Sequence, residues 1–204
     1  MSPVDGIDQF LHRHSRWSPK CGQMVDVFKT YRNNPPHWFR PKAKYFITGS
    51  TYQRKRHLCS DEAKQATLGT LFKSFTHYGW AIEDWVILDN HYHILAEAPE
   101  QAVTLSQAVN AFHKFSALWL KRHLGTLHDG RRIWYNYYDT CITYERSYFA
   151  RVNYIWFNPV KHGYVLDPED WKFGSYYFRN LKGEPLETIV MSFPWNKVKI
   201  DDDF

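Results

Sequence analysis

The stretch that decides the fold is WAIEDWVILDNHYHILAEA, residues 80–98. Residues 80–89 and 91–98 are both rich in apolar and aromatic side chains, a composition that is typical of buried β-strands. Asp89 and Asn90, which lie between these two runs, are residues that favour a turn. We therefore predict a β-hairpin over residues 80–98.

The segments around this hairpin alternate between strand and helix patterns. They predict, in chain order, a strand, a helix, a second helix, a strand and a third helix over residues 44–52, 61–78, 104–124, 131–144 and 145–158. Pro159 is expected to end the third helix, because proline disfavours helical backbone in the residue before it. The order β-α-β-β-α-β plus one helix predicts an α+β, ferredoxin-like fold. Its helices would cover one face of an antiparallel sheet, with an additional C-terminal helix, and would leave the other face open to a ligand or a partner.

Length and local composition divide the chain. Its 204 residues suffice for one domain with extensions. Residues 1–36 have weak periodicity and end in the NNPP break at 33–36, so they are predicted to be an N-terminal extension. The domain is expected to span residues 37–180, and the turn-rich residues 181–204 form a predicted C-terminal tail.

Composition excludes several classes of protein. Aromatic residues make up 18% of the chain, which argues against a largely disordered protein. The chain has neither an apolar run of about 18 residues, as a membrane helix needs, nor the pattern of a secretory signal. Cys21, Cys59 and Cys141 are too far apart for a disulfide framework or a zinc ribbon, so we expect a reduced, cytoplasmic protein.

Positive charge is concentrated in the N-terminal part of the chain. Residues 1–58 carry a net charge of +8, whereas residues 59–204 carry −3. Basic side chains interleaved with aromatic ones suit a nucleic acid whose phosphates pair with cations and whose bases stack. The candidate DNA-binding residues are Arg40, Lys42, Arg54, Lys55 and Arg56. Charge alone is equally compatible with a solvated basic face.

His91 and His93 are the first candidates for chemistry. Side chains two residues apart on a strand point to the same face, where two imidazoles can chelate one divalent cation. The alternative is that one histidine packs in the core and the other lies on the surface. Their position directly after the predicted turn favours a site that a substrate can reach.

Tyr154 and Asn158 are the second candidate pair. They are i, i+4 neighbours on the predicted helix 145–158, and we expect Tyr154 to lie off its apolar stripe. A phenol can act as a nucleophile, and an amide oxygen is a ligand for hard metal ions. With 14 tyrosines in the chain, the spacing is also compatible with coincidence.

Acidic residues near the hairpin form a third, weaker set. The set consists of the paired acids Glu83 and Asp84, with Asp89 and Glu97. By strand parity Glu97 shares the face of the two histidines and could reach a metal. An acidic side chain at a strand edge is more often solvated, so Asn158 is the better candidate for a third metal ligand.

Two sequence signatures resemble those of a known family. DNHYHIL, residues 89–95, follows the apolar run WVIL and resembles the HUH signature of single-tyrosine transposases. YIWFNPVKHG, residues 154–163, resembles the second signature of their IS200-like branch, the REP-associated tyrosine transposases. HWFRP at 37–41 and DWKFGSY at 170–176 also fit, so the resemblance covers about residues 37–180.

The resemblance implies a specific activity. His91, His93 and Asn158 would hold Mg²⁺ or Mn²⁺, and Tyr154 on the catalytic C-terminal helix would attack DNA. A 5′-phosphotyrosine intermediate and a free 3′-OH would result, so that strands are cut and rejoined during DNA transposition. The implied substrate is single-stranded DNA folded into REP-type hairpins. Asn90 and Tyr92 depart from the residues usual in the family, but neither replaces a ligand.

Two other functions remain open at this point. A non-catalytic, ferredoxin-like nucleic-acid-binding protein would use exposed aromatic residues on its sheet, with His91 and His93 as packing residues. A metal-dependent nuclease would use water instead of Tyr154 as the nucleophile. The sequence is compatible with a monomer and with a dimer.

Overall fold

The structure, a computed structural model, describes residues 27–31, 34–123, 132–180 and 190–193. Most of the predicted extension 1–36 and most of the predicted tail 181–204 lie outside the described residues. The described strands and longer helices are β1 (Val27–Tyr31), β2 (Asn34–Phe39), β3 (Lys44–Thr51), α1 (Asp61–His77), β4 (Ala81–Ile87), β5 (His91–Glu97), α2 (Leu105–His123), β6 (Trp134–Ile142), α3 (Glu145–Lys161) and α4 (Ser175–Asn180).

Four of these strands form the central sheet. Its order is β4-β5-β3-β6, and every neighbouring pair is antiparallel. The predicted ferredoxin-like order of elements is therefore confirmed, including the hairpin of β4 and β5. Among the described helices, none is long and apolar enough to cross a membrane.

Both faces of the sheet are covered. One face carries Ile47, Trp85 and Ile94, which pack with α1 and α2 in one apolar cluster. The other face carries Phe46 and Leu95, which pack with α3 and α4 in a second cluster. The expectation of an open second face is wrong, because the apolar stripe of α3 needs a surface on which to be buried.

A β-bulge in β4 turns two consecutive acidic residues towards α3. Ile82 pairs with Ala96 and Asp84 pairs with Leu95, so Glu83 is the extra residue of the bulge. Glu83 accepts hydrogen bonds from Lys44 and from the hydroxyl of Tyr148 on α3. Both acidic side chains thus face the side of the sheet that α3 covers.

Asp84 ties α3 and α4 to the sheet. Its fully buried carboxylate accepts hydrogen bonds from Trp156 Nε1 at 2.8 Å and Ser175 Oγ at 2.8 Å. The guanidinium of Arg179 donates two more, from Nε and Nη2, both at 3.1 Å. A buried carboxylate with a paired cation and this many donors is fully satisfied.

The structure corrects the predicted end of the third helix. Pro159 lies inside α3, which continues to Lys161. His162 caps the helix, and the next residue, Gly163, has a φ of +71°, the left-handed conformation that commonly follows a helix. Proline near a C-terminus removes only one intrahelical hydrogen bond, so two further residues remain helical.

The sequence patterns did not predict the first hairpin. β1 and β2 pair as a two-stranded antiparallel sheet, with Val27 opposite Phe39. The predicted break at residues 33–36 therefore overlaps the start of β2, and the hairpin crosses the predicted domain boundary at residue 36.

We expect Asp84→Asn to lower the free energy of unfolding by about 3 kcal/mol or more, because the buried guanidinium of Arg179 would lose its counter-charge. Chemical denaturation followed by tryptophan fluorescence measures this change. The control is Asp167→Asn at an exposed position, which we expect to shift stability by less than about 0.5 kcal/mol. Equal denaturation midpoints for the two variants would contradict the role given to Asp84.

Candidate active site

The two histidines lie side by side on β5. His91 pairs with Ser50 of β3, and His93 pairs with Thr48, so both side chains face α3. Their ring centroids are 5.2 Å apart, and both residues are buried. His93 also stacks on Phe46, with ring centroids 5.5 Å apart. The same-face placement that strand parity predicts is therefore present.

Helix α3 brings Tyr154 and Asn158 to this pair. The ring of Tyr154 meets that of His93 edge to face, with centroids 5.2 Å apart. Asn158 Oδ1 lies 3.2 Å from His91 Nε2. Tyr154 is only 2% exposed and belongs to the apolar cluster beneath α3, so the expectation that it lies off the apolar stripe is wrong.

Both histidines are neutral in this environment. Burial lowers the pKa of His91 to about 3, and the nearby His162 adds to the effect. Burial, and then the neighbouring His91, hold the pKa of His93 well below its ordinary value. A neutral imidazole keeps one nitrogen lone pair, which is the form that binds a metal ion.

The hydrogen bonds of Asn90 determine which nitrogen of His91 carries the proton. The side-chain amide of Asn90 donates from Nδ2 to the carbonyl oxygen of Arg54 at 3.2 Å. Its Oδ1, an acceptor, lies 2.7 Å from His91 Nδ1. The neutral ring therefore donates from Nδ1, and its Nε2 presents a lone pair towards Asn158 Oδ1.

Several polar atoms at this site have no hydrogen-bond partner within the described part of the chain. They are both ring nitrogens of His93, Nδ2 of Asn158 and Oγ1 of Thr48, which faces His93 across the strands. Buried polar atoms are usually satisfied, so a cluster of exceptions marks this place as a candidate ligand site. The described residues contain no group of three or more His, Cys, Asp or Glu side chains that could hold a metal ion. A metal bound by His91 and His93 would therefore need the amide oxygen of Asn158 as a further ligand.

Sequence reasoning missed two basic side chains at the site. Lys161 Nζ lies 3.5 Å from the hydroxyl oxygen of Tyr154 and 5.0 Å from the centre of its ring. The ring of His162 lies 4.9 Å from that of His91. The spacing of Tyr154 and Lys161, two helical turns apart, is a signal that could have identified the lysine.

The four candidate acids have structural roles elsewhere. Glu83 and Asp84 hold α3 and α4, as described above. Glu97 pairs with Lys44 at 2.7 Å, at the opposite end of β5 from His91. None of these three contacts the histidine pair in the described structure.

Asp89 supports the turn that precedes His91. Its carboxylate pairs with the buried ammonium of Lys64 at 2.7 Å and with Arg56. Burial alone would raise the pKa of Asp89, but the hydrogen bonds from Lys64 and Arg56 outweigh burial and lower it. The carboxylate thus stays charged and fixes the turn.

The predicted DNA-binding residues divide into two groups. Arg54, Lys55 and Arg56 are exposed and follow the end of β3 that lies beside His91. Arg40 and Lys42 precede β3 and lie at the opposite end of the sheet, where Lys42 pairs with Glu100 at 3.5 Å. The structure brings only the first group close to the candidate active site.

Comparisons with known proteins bear on the fold and on the family. The REP-associated tyrosine transposase of Escherichia coli (strain K12) is 25% identical over 143 residues, which are 66% of this chain and 81% of that protein. The solved structure of a REP-associated tyrosine transposase bound to a REP hairpin shares the fold, with a TM-score of 0.62 and 22% identity. That match covers 86% of this chain and 94% of the other.

The family match spans the candidate histidines and Tyr154. The model of IS200-like transposases matches residues 41–156, which is more than half of the chain. The resemblance noted in the sequence is therefore confirmed: the chain belongs to the family of IS200-like transposases, which are enzymes.

Proposed function

We propose that this transposase cleaves and rejoins single-stranded DNA at REP-type hairpins through a 5′-phosphotyrosine intermediate on Tyr154. One observation carries the proposal: α3 holds Tyr154 against His93 and Asn158 against His91, although these pairs are far apart in sequence. A nucleophile and a set of metal ligands thus meet at one buried point at the end of the sheet.

The donor set fits Mg²⁺ or Mn²⁺ held by His91, His93 and Asn158. His91 Nε2 and Asn158 Oδ1 are both acceptors and lie 3.2 Å apart, an arrangement that a cation between them would stabilise. The ring nitrogens of His93 have no other partner in the described structure. When bound, the cation would stabilise negative charge that develops on the scissile phosphate.

The chain's own residues account for the nucleophilic step. The phenolic oxygen of Tyr154 attacks phosphorus and gives up its proton. The P–O bond to the 3′ oxygen of the preceding nucleotide breaks, and that oxygen leaves with the electron pair and takes up a proton. The ammonium of Lys161, 3.5 Å from the phenolic oxygen, stabilises the negative charge of the attacking group. A 3′-OH reverses the step and rejoins the strand.

The relatives and the surface charge support DNA as the substrate. The similar solved structure is bound to a REP hairpin. In this chain the exposed Arg54, Lys55 and Arg56 lie at the same end of the sheet as His91, where they can pair with phosphates. Such a reaction takes place in the compartment that holds the DNA, in line with the expected cytoplasmic location.

Tyr154→Phe removes only the hydroxyl group and keeps the ring that packs on His93. We expect it to abolish both strand cleavage and the covalent protein–DNA adduct, with hairpin binding within about twofold of wild type. Denaturing gels of the protein with labelled hairpin oligonucleotides, each carrying random single-stranded flanks, measure the adduct.

Tyr144→Phe is the matched control, because Tyr144 is 62% exposed and directly precedes the same helix as its N-cap residue. It should form the adduct at the wild-type rate. An adduct formed by Tyr154→Phe would exclude this nucleophile, and mass spectrometry of the trapped peptide would then identify the tyrosine that carries the DNA.

His91→Ala, His93→Gln and Asn158→Ala test the metal ligands. We expect the two histidine variants to lose Mn²⁺ binding and cleavage, and Asn158→Ala to weaken Mn²⁺ binding and slow cleavage without abolishing it. Hairpin affinity should persist, since it rests on phosphate contacts elsewhere. Electron paramagnetic resonance of Mn²⁺ titrated into the DNA-free protein gives a readout that is independent of catalysis.

The exposed His77 provides the control variant His77→Ala for this series. It should bind Mn²⁺ as the wild type does. Unchanged Mn²⁺ binding by His91→Ala and by His93→Gln would exclude these residues as ligands, and a circular dichroism spectrum shows whether each variant is folded.

Lys161→Met removes the cation beside the phenol and keeps much of the side-chain volume. We expect the cleavage rate to fall by about tenfold to a hundredfold, with hairpin affinity within about twofold of wild type. Lys161→Arg should restore part of the rate, whereas the control Lys172→Met at an exposed position should leave it unchanged. Single-turnover cleavage measures these rates, and a wild-type rate for Lys161→Met would contradict the role of Lys161.

A further inference from the structure

A cleft of about 450 Å³ lies between α2 and the first half of β6. One face of α2 lines it with Asn110, Lys114 and Lys121, which recur at helical spacing. Residues 132–137 line the opposite wall. This cleft, here called the α2–β6 groove, contains none of the residues proposed for catalysis.

The groove carries positive charge without compensating negative charge on its walls. Lys114, Lys121 and Arg132 line it, and none of its lining residues is acidic. The amides of Asn110 and Asn136 add hydrogen-bonding groups. This combination suits a ligand that carries phosphates and also has polar edges to recognise.

Exposed aromatic side chains stand at the mouth of the groove. Tyr135 is 42% exposed and Tyr52 is 37% exposed, and their ring centroids are 6.3 Å apart. The guanidinium carbon of Arg132 lies 5.4 Å from the ring of Tyr135 and 5.9 Å from that of Tyr52. Exposed rings beside a cation are the usual platform on which unpaired bases stack.

The inner wall of the groove is preformed. Trp134 stacks on His113 with ring centroids 4.8 Å apart and an interplanar angle of 7°. Its indole N–H donates to Ser116 Oγ at 2.9 Å, and His113 Nε2 lies 2.9 Å from the hydroxyl of Tyr92. A wall held by such contacts needs little reorganisation to receive a ligand.

The groove opens at the same end of the sheet as the candidate active site. His91 on β5 pairs with Ser50 of β3, and Trp134 on β6 pairs with the next residue, Thr51. Two strand spacings, or roughly 10 Å, therefore separate the backbones of His91 and Trp134. Their side chains lie on opposite faces of the sheet, since His91 faces α3 and Trp134 packs on α2, so a DNA strand that reaches both sites must pass around this end of the sheet. The exposed Tyr52 and Arg54 follow β3 directly, at this end of the sheet.

We propose that the α2–β6 groove binds the unpaired nucleotides that flank the hairpin, with phosphates on Lys114, Lys121 and Arg132 and a base on Tyr135. The proposal rests on the proposed function, because it gives the groove the same DNA strand that Tyr154 cleaves. The protein would then bind the hairpin and its flanks on different surfaces, so the contribution of each surface to affinity can be measured separately.

Two hairpin probes test this separation. One is a blunt hairpin, and the other is the same hairpin with ten thymidines on each side. In wild-type protein without metal, fluorescence anisotropy should show tighter binding of the flanked probe. The variant Lys114→Glu/Lys121→Glu should lose at least about tenfold in affinity for the flanked probe and less than about twofold for the blunt one.

The control Lys73→Glu/Lys172→Glu makes the same change in charge at exposed positions outside the groove. It should affect both probes equally and weakly. Tyr135→Ala should reduce affinity for the flanked probe about fivefold or more through lost stacking, and Tyr144→Ala, at an exposed ring elsewhere, should not.

Photo-crosslinking identifies the contact directly. With 5-bromodeoxyuridine in place of single flank thymidines, we expect a crosslinked peptide that contains Tyr135. Equal losses for both probes in the groove and control variants, or crosslinks confined to other peptides, would overturn the proposal. A separate assay with metal, in which the wild type cleaves the random-flank hairpins described above, keeps the two proposals distinct. If the wild type cleaves these hairpins, the losses described here refute only the role of the groove.

Discussion

The rest of the structure depends on how the carboxylate of Asp84 holds two helices against the sheet. The bulge in β4 turns both Glu83 and Asp84 towards α3, where a regular strand would direct only one of them. Asp84 then accepts hydrogen bonds from Trp156 on α3 and from Ser175 and Arg179 on α4. Because α3 is fixed at this point, Tyr154 reaches His93 and Asn158 reaches His91 at the far end of the same face.

The sequence predicted the strands and helices of residues 44–161 well because each carries a local pattern. The hairpin at residues 80–98 has apolar runs around a turn, and Ser60 caps α1 by accepting from the backbone N–H of Ala63. A glycine stands at position 49 of the predicted strand 44–52 for a steric reason, since a Cβ there would lie 2.5 Å from the hydroxyl oxygen of Tyr92. Local patterns could not predict which helices cover each face of the sheet, because that depends on contacts between residues far apart in sequence.

In the candidate site, too, local patterns predicted some features and missed those that depend on contacts distant in sequence. Parity on β5 predicted the same-face placement of His91 and His93, and helical spacing predicted that of Tyr154 and Asn158. The meeting of the two pairs depends on how α3 packs on the sheet, to which the bulge and the contacts of Asp84 contribute, and neither of these has a periodic signal. Burial of Tyr154 was missed because its ring packs on Phe46 and His93 of the sheet, which a helical apolar stripe does not reveal.

The two ends of the face under α3 differ in how completely their polar groups are satisfied. At the bulge, each oxygen of the Asp84 carboxylate has a donor, and the cation of Arg179 is paired. At the histidine end, both ring nitrogens of His93, Nδ2 of Asn158 and Oγ1 of Thr48 have no partner in the described structure. Each unsatisfied buried group costs roughly 1–3 kcal/mol, and sequences retain such groups chiefly at functional sites. The well-satisfied packing at one end therefore offsets the unsatisfied polar groups at the other, where His93 and Asn158 belong to the candidate active site.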